Sequence, residues 1–328
     1  MTSSRTKRRS SSTKRAVGSA MALGGVALVA LMIAACGGDG PERPPVETGN
    51  GETSSGKLRV YVVNYPLMYF AERIGGEHVD VVFPAPADVD PAYWQPEVNV
   101  IAEYQAADLI VKNGAGYANW MTMATLPDSK IVYSAEGFFE DVIVEESAVT
   151  HSHGPEGEHS HGETAFTTWL DPLQAIMQAE SIAAALTEAR PDAAADFEAG
   201  MVSLRAELEE LDARLARAAD QIGEHPILAS HPVYQYLARR YGLNIRSVHF
   251  EPDENPSEEA WDDLARLYAE HAATTMLWEA QPLAETSARL AEMGIEVVVF
   301  DPAANRPAGG DFMDAMRSNA TNLEEDRS

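Results

Sequence analysis

Three side chains able to bind a divalent metal each stand just past a short apolar run. His231 follows Ile227-Leu228-Ala229-Ser230, Glu279 follows Met276-Leu277-Trp278, and Asp301 follows Val297-Val298-Val299-Phe300. In an open α/β sheet, ligands bind beyond the carboxyl ends of the strands. One imidazole and two carboxylates placed there read as a site for a divalent cation. A second stretch, residues 149–163, carries His151, His153, His159 and His161, four of the chain's nine histidines. The stretch is polar and glycine-containing, so it is expected to be a mobile loop. Its imidazoles suit loose capture of zinc, copper or nickel rather than manganese.

Ser230, His231 and Asp301 also contain the residue types of a hydrolytic triad. Adjacent residues at a strand end point to opposite sides, so Ser230 and His231 are badly placed to share a proton. The chain has no Gly-x-Ser-x-Gly elbow, no Gly-rich phosphate loop and no His-Glu-x-x-His. Binding without catalysis is the expectation. A metal-dependent hydrolase is the alternative from another class, and adhesion or metal sequestration without a transporter is a third.

The elements that present these residues begin after an address. Arg5, Lys7, Arg8, Arg9, Lys14 and Arg15 precede an apolar run from Ala16 to Ala35, which ends in Ile33-Ala34-Ala35-Cys36. A basic start, an apolar stretch and small residues before a cleavage point mark an export signal. Cys36, the only cysteine, stands where a bacterial lipoprotein signal places its lipidated residue. Residues 1–35 are therefore expected to be a signal peptide and Cys36 the lipid anchor to the membrane. An uncleaved membrane span is the alternative, since about 20 apolar residues cross a bilayer. Either arrangement leaves the remainder outside the cytoplasmic membrane, in the periplasm or on the outer face of the cell. A single cysteine excludes an intramolecular disulfide. The formal net charge is −27, and it becomes more negative without the basic leader. Such a surface repels nucleic acid and favours solubility. No second apolar span follows, so the chain is neither a channel nor a permease.

Residues 36–56, rich in Gly, Pro, Glu, Ser and Thr, read as a flexible tether. From Lys57 onward, short apolar strands alternate with helices, the pattern of a largely parallel sheet. Pro191 opens the clearest helix. Phe197, Met201, Leu204, Leu208, Leu211, Leu215, Ala218 and Ile222 recur at steps of four and three, which makes one apolar stripe. Residues 191–222 would span about 48 Å as a helix. Strand and helix alternation resumes beyond Gly223. The expected organisation is α/β, with two lobes of mainly parallel sheet joined by one long rigid α-helix. The N-terminal lobe covers residues 57–190, the connecting helix 191–222 and the C-terminal lobe 223–328. A coiled-coil dimer is the rival reading of the helix; a monomer is expected.

Local motifs include Tyr65-Pro66-Leu67, Ile74-Gly75-Gly76, Ala107-Asp108-Leu109-Ile110-Val111-Lys112-Asn113-Gly114, Trp169-Leu170-Asp171-Pro172, Ser230-His231, the run from Tyr236 to Leu243, and Asp301-Pro302. Together they resemble one family, the zinc and manganese group of metal-binding receptors of bacterial ABC importers. The resemblance covers residues 57–325. It implies one transported metal ion, most commonly zinc, held between the lobes and passed to a membrane permease. It carries two ligands over, His231 and Asp301. The family's first-lobe ligands do not carry over. Its Asp-Pro-His is Asp90-Pro91-Ala92 here, and its histidine two residues before Trp169 is Thr167. Three repairs are open: Glu279 completes the shell, the histidine-rich loop folds in, or the cargo is a metal chelate or other small ligand. Tyr93 and Trp94 would suit such a larger cargo as an aromatic wall, and would otherwise be packing.

Overall fold

Val60, Tyr61 and Val62 are buried in succession, as expected of a parallel strand covered on both faces. They belong to β1, Leu58–Val62, the start of the first of two four-stranded parallel sheets in the computed structural model, which describes residues 56–144, 150–153, 157–160 and 164–325. The other strands of this sheet are β2 (Val79–Val82), β3 (Leu109–Lys112) and β4 (Ile131–Tyr133), in the spatial order β2-β1-β3-β4. The helices α1 (Tyr65–Gly75), α2 (Val98–Ala106) and the short α3 (Trp120–Met123) alternate with them. Asn64 caps α1 by accepting from the Leu67 amide at 3.1 Å, with Pro66 in the first turn, where its missing N–H costs nothing. Cys36, the leader and the tether as far as residue 55 lie outside the described residues. No described helix is long and apolar enough to cross a membrane.

Two strands fall in the histidine-rich stretch expected to be a loop. β5 (Thr150–His153) and β6 (Gly157–Ser160) pair antiparallel, with His151 opposite His159 and His153 opposite Gly157. Just outside them, Val144 bridges Thr164. A polar composition does not prevent strand pairing, so the composition that suggested a loop is equally compatible with a β-ribbon. His161 lies outside the described residues.

Two helices then lead to the second lobe. α4 (Pro172–Ala189) is capped by Asp171, which accepts from the Leu173 amide at 3.0 Å. Pro191–Ala193 forms a single 3₁₀ turn, and α5 (Ala194–Ile222) begins only after it. At 29 residues, α5 is about 43 Å long. Its stripe from Phe197 to Ile222 is buried against α1, α4 and the C-terminal helix α9, Phe312–Glu325. The chain itself thus covers the surface that a coiled-coil partner would need. Gly200 is required for this fit: a Cβ there would stand 2.7 Å from the Arg73 carbonyl oxygen and 2.9 Å from Ile74 Cα. Gly223 ends α5 with φ at 59°, a region that strains other residues.

The second sheet comprises β7 (Pro226–Ala229), β8 (Asn244–Ser247), β9 (Thr275–Trp278) and β10 (Glu296–Val299), all parallel. α6 (Gln235–Tyr241), α7 (Glu258–Glu270) and α8 (Ala284–Glu292) intervene. The spatial order, β10-β9-β7-β8, is that of the first sheet with each strand replaced by its counterpart. The two lobes therefore repeat one topology without a repeat visible in sequence. A single apolar core runs from the first sheet through α5 to Ile227, Leu277 and Phe300 of the second. A smaller cluster around Trp261, Met276 and Trp278 fills the outer face of the second lobe.

Candidate metal site in the cleft

In an order of β10-β9-β7-β8, the chain reverses direction of winding between β9 and β7, and a crevice opens there beyond the strand ends. Asp301, Glu279, His231 and Glu251 stand just past β10, β9, β7 and β8 respectively. Together they border a cavity of about 460 Å³ between the lobes. From the first lobe, the loop from Asp88 to Tyr93 and Phe166-Thr167 form the facing wall.

The cavity is acidic throughout. Asp88, Asp90, Glu251, Asp253, Glu254, Glu279 and Asp301 line it, with His231 and without a lysine or arginine. His231 is only 6% exposed. Its Nδ1 lies 3.4 Å from Glu251 Oε1 and 3.9 Å from Glu279 Oε1, and its ring meets that of His249 edge to face at 5.4 Å. The Asn319 amide clamps the Asp301 backbone through bonds of 2.9 and 2.6 Å, and Asp301 Oδ1 accepts from the Ala303 amide at 2.7 Å.

Crowding of like charge and removal from water both disfavour ionised carboxylates. Burial, reinforced by Asp90, Glu251 and Asp301, pushes Glu279 up to about 8. Burial, with Asp253, Asp90 and Glu254, pushes Glu251 up to about 7. Burial also raises Asp301, against the Ala303 amide. A cation entering the cavity relieves all three at once. As the side chains are placed, no three His, Cys, Asp or Glu groups among the described residues stand close enough to grip an ion. The donor set fits a divalent metal, and coordination requires the carboxylates to rotate inward.

The first-lobe positions are filled differently. Ala92 donates its amide to Asp90 Oδ1 at 2.8 Å, a turn that shapes the cavity wall. The Thr167 hydroxyl donates to the Val233 carbonyl across the cleft. Nearby, Trp169 Nε1 donates to the Pro302 carbonyl at 2.7 Å, and the Tyr236 hydroxyl to the Ala165 carbonyl at 2.9 Å. Thr167 thus joins the lobes directly instead of reaching them through a bound ligand. Tyr93 lines the cavity, whereas Trp94 packs against the core.

Sequence reasoning brings His231, Glu279 and Asp301 to one cavity. His151 and His153 lie on β5 and His159 on β6. Glu251 escaped notice, although the rule that singled out His231 applies to it: it lies past the end of a strand, in the acidic turn Glu251-Pro252-Asp253-Glu254. The other histidines are structural. His78 pairs with Asp196 at 2.8 Å, while the rings of His225 and His271 bond the backbone carbonyls of Ile222 and Ile227.

Two lobes of parallel sheet, a long joining helix and a ligand cleft at the strand ends define a metal-binding solute receptor of the ABC-importer type. The chain belongs to the family described as zinc-uptake complex component A, periplasmic, whose model matches residues 60–326. It is 26% identical over 318 residues to the high-affinity zinc uptake system protein ZnuA of Bacillus subtilis, a match covering 92% of this chain and 95% of that protein. It is also 26% identical over 294 residues to the zinc-binding lipoprotein AdcA of Streptococcus pneumoniae, covering 85% of this chain but 58% of AdcA. The fold is shared with the Zn(II)-bound ZnuA-like domain of AdcA from S. pneumoniae, at a TM-score of 0.70 and 22% identity, over 82% of this chain and 98% of that domain.

Proposed function

We propose that this protein is an extracytoplasmic receptor that takes a divalent transition metal, most readily zinc, into the interlobe cleft and delivers it to the membrane permease of an ABC importer. One observation carries the reading: seven carboxylates and a buried imidazole line the cleft, and no basic side chain does. His231, Glu279 and Asp301 are the ligands this reading assigns. The charge favours a free cation over an anionic chelate, which the same carboxylates would repel. The mechanism is binding alone, without a chemical step. Neutral imidazole and ionised carboxylate displace hydration water, and release follows when the permease disturbs the cleft.

His151, His153, His159 and His161 act as a collecting station in this reading. The pairing of His151 with His159 sets two imidazole-bearing positions opposite each other. Such cross-strand positions are about 5 Å apart at Cβ, close enough for two side chains to share one ion. Cys36 anchors the receptor to the membrane through lipid, and residues 1–35 are removed on export. The receptor acts as a monomer.

The test is a zinc titration of the whole chain in detergent, after chelation. One tight equivalent is expected, lost in His231→Ala, together with weaker equivalents lost on deleting residues 150–162. Unchanged tight binding in His231→Ala would remove the metal from the cleft.

A further inference from the structure

Glu251 lies twenty residues beyond His231, yet the second sheet sets them side by side. Beyond the last paired residues of β7 and β8, the two chains stay together. The Val248 amide donates to the Ala229 carbonyl at 2.9 Å, and the Phe250 amide to the Ser230 carbonyl at 2.7 Å. Phe250 is buried against Trp261 and Trp278, which fixes the strand end and turns the next residue toward the cleft. His231 Nδ1 and Glu251 Oε1 stand 3.4 Å apart at the cavity wall, so a small rotation of the carboxylate would bring both onto one ion. Glu279 approaches the same nitrogen, at 3.9 Å.

We infer that Glu251 is a metal ligand of this receptor, and that His231, Glu251, Glu279 and Asp301 form a shell drawn entirely from the second lobe. This inference rests on the reading of the cleft as a metal site. It explains how the site survives with Ala92 and Thr167 in the first lobe. Neither residue supplies a strong donor, and the Thr167 hydroxyl is already committed to the Val233 carbonyl. Asp90, the nearest first-lobe carboxylate in the same turn, has Oδ1 engaged by the Ala92 amide. The resulting shell has one nitrogen and three carboxylates. Its cargo is a divalent cation tolerant of oxygen ligands, so manganese should compete with zinc more effectively than at a site of several imidazoles.

Zinc affinity is measured by competition with a chromogenic chelator, using the whole chain and its Glu251→Gln and His231→Ala variants. The hairpin-deleted chain, lacking residues 150–162, is measured alongside. Glu251→Gln keeps the shape and removes the charge. The expected result is a loss of about tenfold or more in Glu251→Gln, with the hairpin-deleted chain keeping its tight equivalent. X-ray absorption at the zinc edge should report one imidazole and oxygen neighbours for the rest. Wild-type affinity in Glu251→Gln, with binding lost in His231→Ala, would overturn the role of Glu251 and leave the cleft reading standing. Unchanged affinity in both variants would overturn the cleft reading itself. Two or more imidazoles in the absorption spectrum of the hairpin-deleted chain at one zinc equivalent would place a second histidine in the shell and overturn the inference, whatever the folding of the variants.

Discussion

Glu279 and Glu251 titrate far above ordinary carboxylates, at about 8 and about 7, because burial and neighbouring carboxylates oppose their ionisation. In the proposed shell both are ionised, so protons compete with the metal. Zinc affinity is therefore expected to weaken as pH falls from about 8 toward 6. Chelator competition at half-unit pH steps checks this, and Glu279→Gln should flatten the upper part of the curve. The same shifts bear on the metal-free fold. A carboxyl whose folded-state value is raised stabilises the fold at low pH, and that contribution is lost as pH rises through the folded value. For Glu279 the window runs from its ordinary 4.5 to about 8. Thermal melts in chelator should fall across that window, less steeply in Glu279→Gln, and added zinc should restore the loss.

The elements around the site depend on close fits more than on polar contacts. α5 crosses α1 at Gly200, where a Cβ would meet backbone atoms 2.7–2.9 Å away. Gly200→Ala gains about 1 kcal/mol of helix propensity, but the clash is with backbone, which cannot rotate aside. Overpacking costs about 1–3 kcal/mol, so urea denaturation should show net destabilisation. Neutral or increased stability would mean that α5 can shift away from α1. Most elements could be anticipated from apolar periodicity, capping residues and prolines. The hairpin at β5 and β6 could not, because its residues are polar and their pairing depends on register rather than composition. α9 lies beyond the expected elements, although Phe312, Met316, Ala320 and Leu323 recur at steps of four and three, the same helical period that marks α5.

At the scale of the whole molecule, one continuous core passes through both sheets and α5, and several bonds cross the cleft. Thr167 reaches Val233, Trp169 reaches Pro302, and Asn305 reaches the Pro86 and Val89 carbonyls at 2.7 and 2.9 Å. A wide hinge closure would have to break these together. Zinc is therefore expected to change the radius of gyration very little. Small-angle scattering with and without zinc checks this, and a marked contraction would show that the joining helix bends. Calorimetry should record the two lobes unfolding in one transition, since neither keeps its core without α5.

The sequence by itself determined the alternation of strands and helices, the long apolar stripe, and the placing of His231, Glu279 and Asp301 just past strand ends. These are local facts: side-chain period, capping chemistry and chain order need no knowledge of neighbours. The same order exposed the losses at Ala92 and Thr167. Only the tertiary structure decided which side chains share the cavity, because proximity is set across strands. The winding order of the second sheet puts Asp301, Glu279, His231 and Glu251 in adjacent positions. Lateral pairing of β7 with β8 brings Glu251 within 3.4 Å of His231, across a sequence interval in which no spacing rule would have joined them.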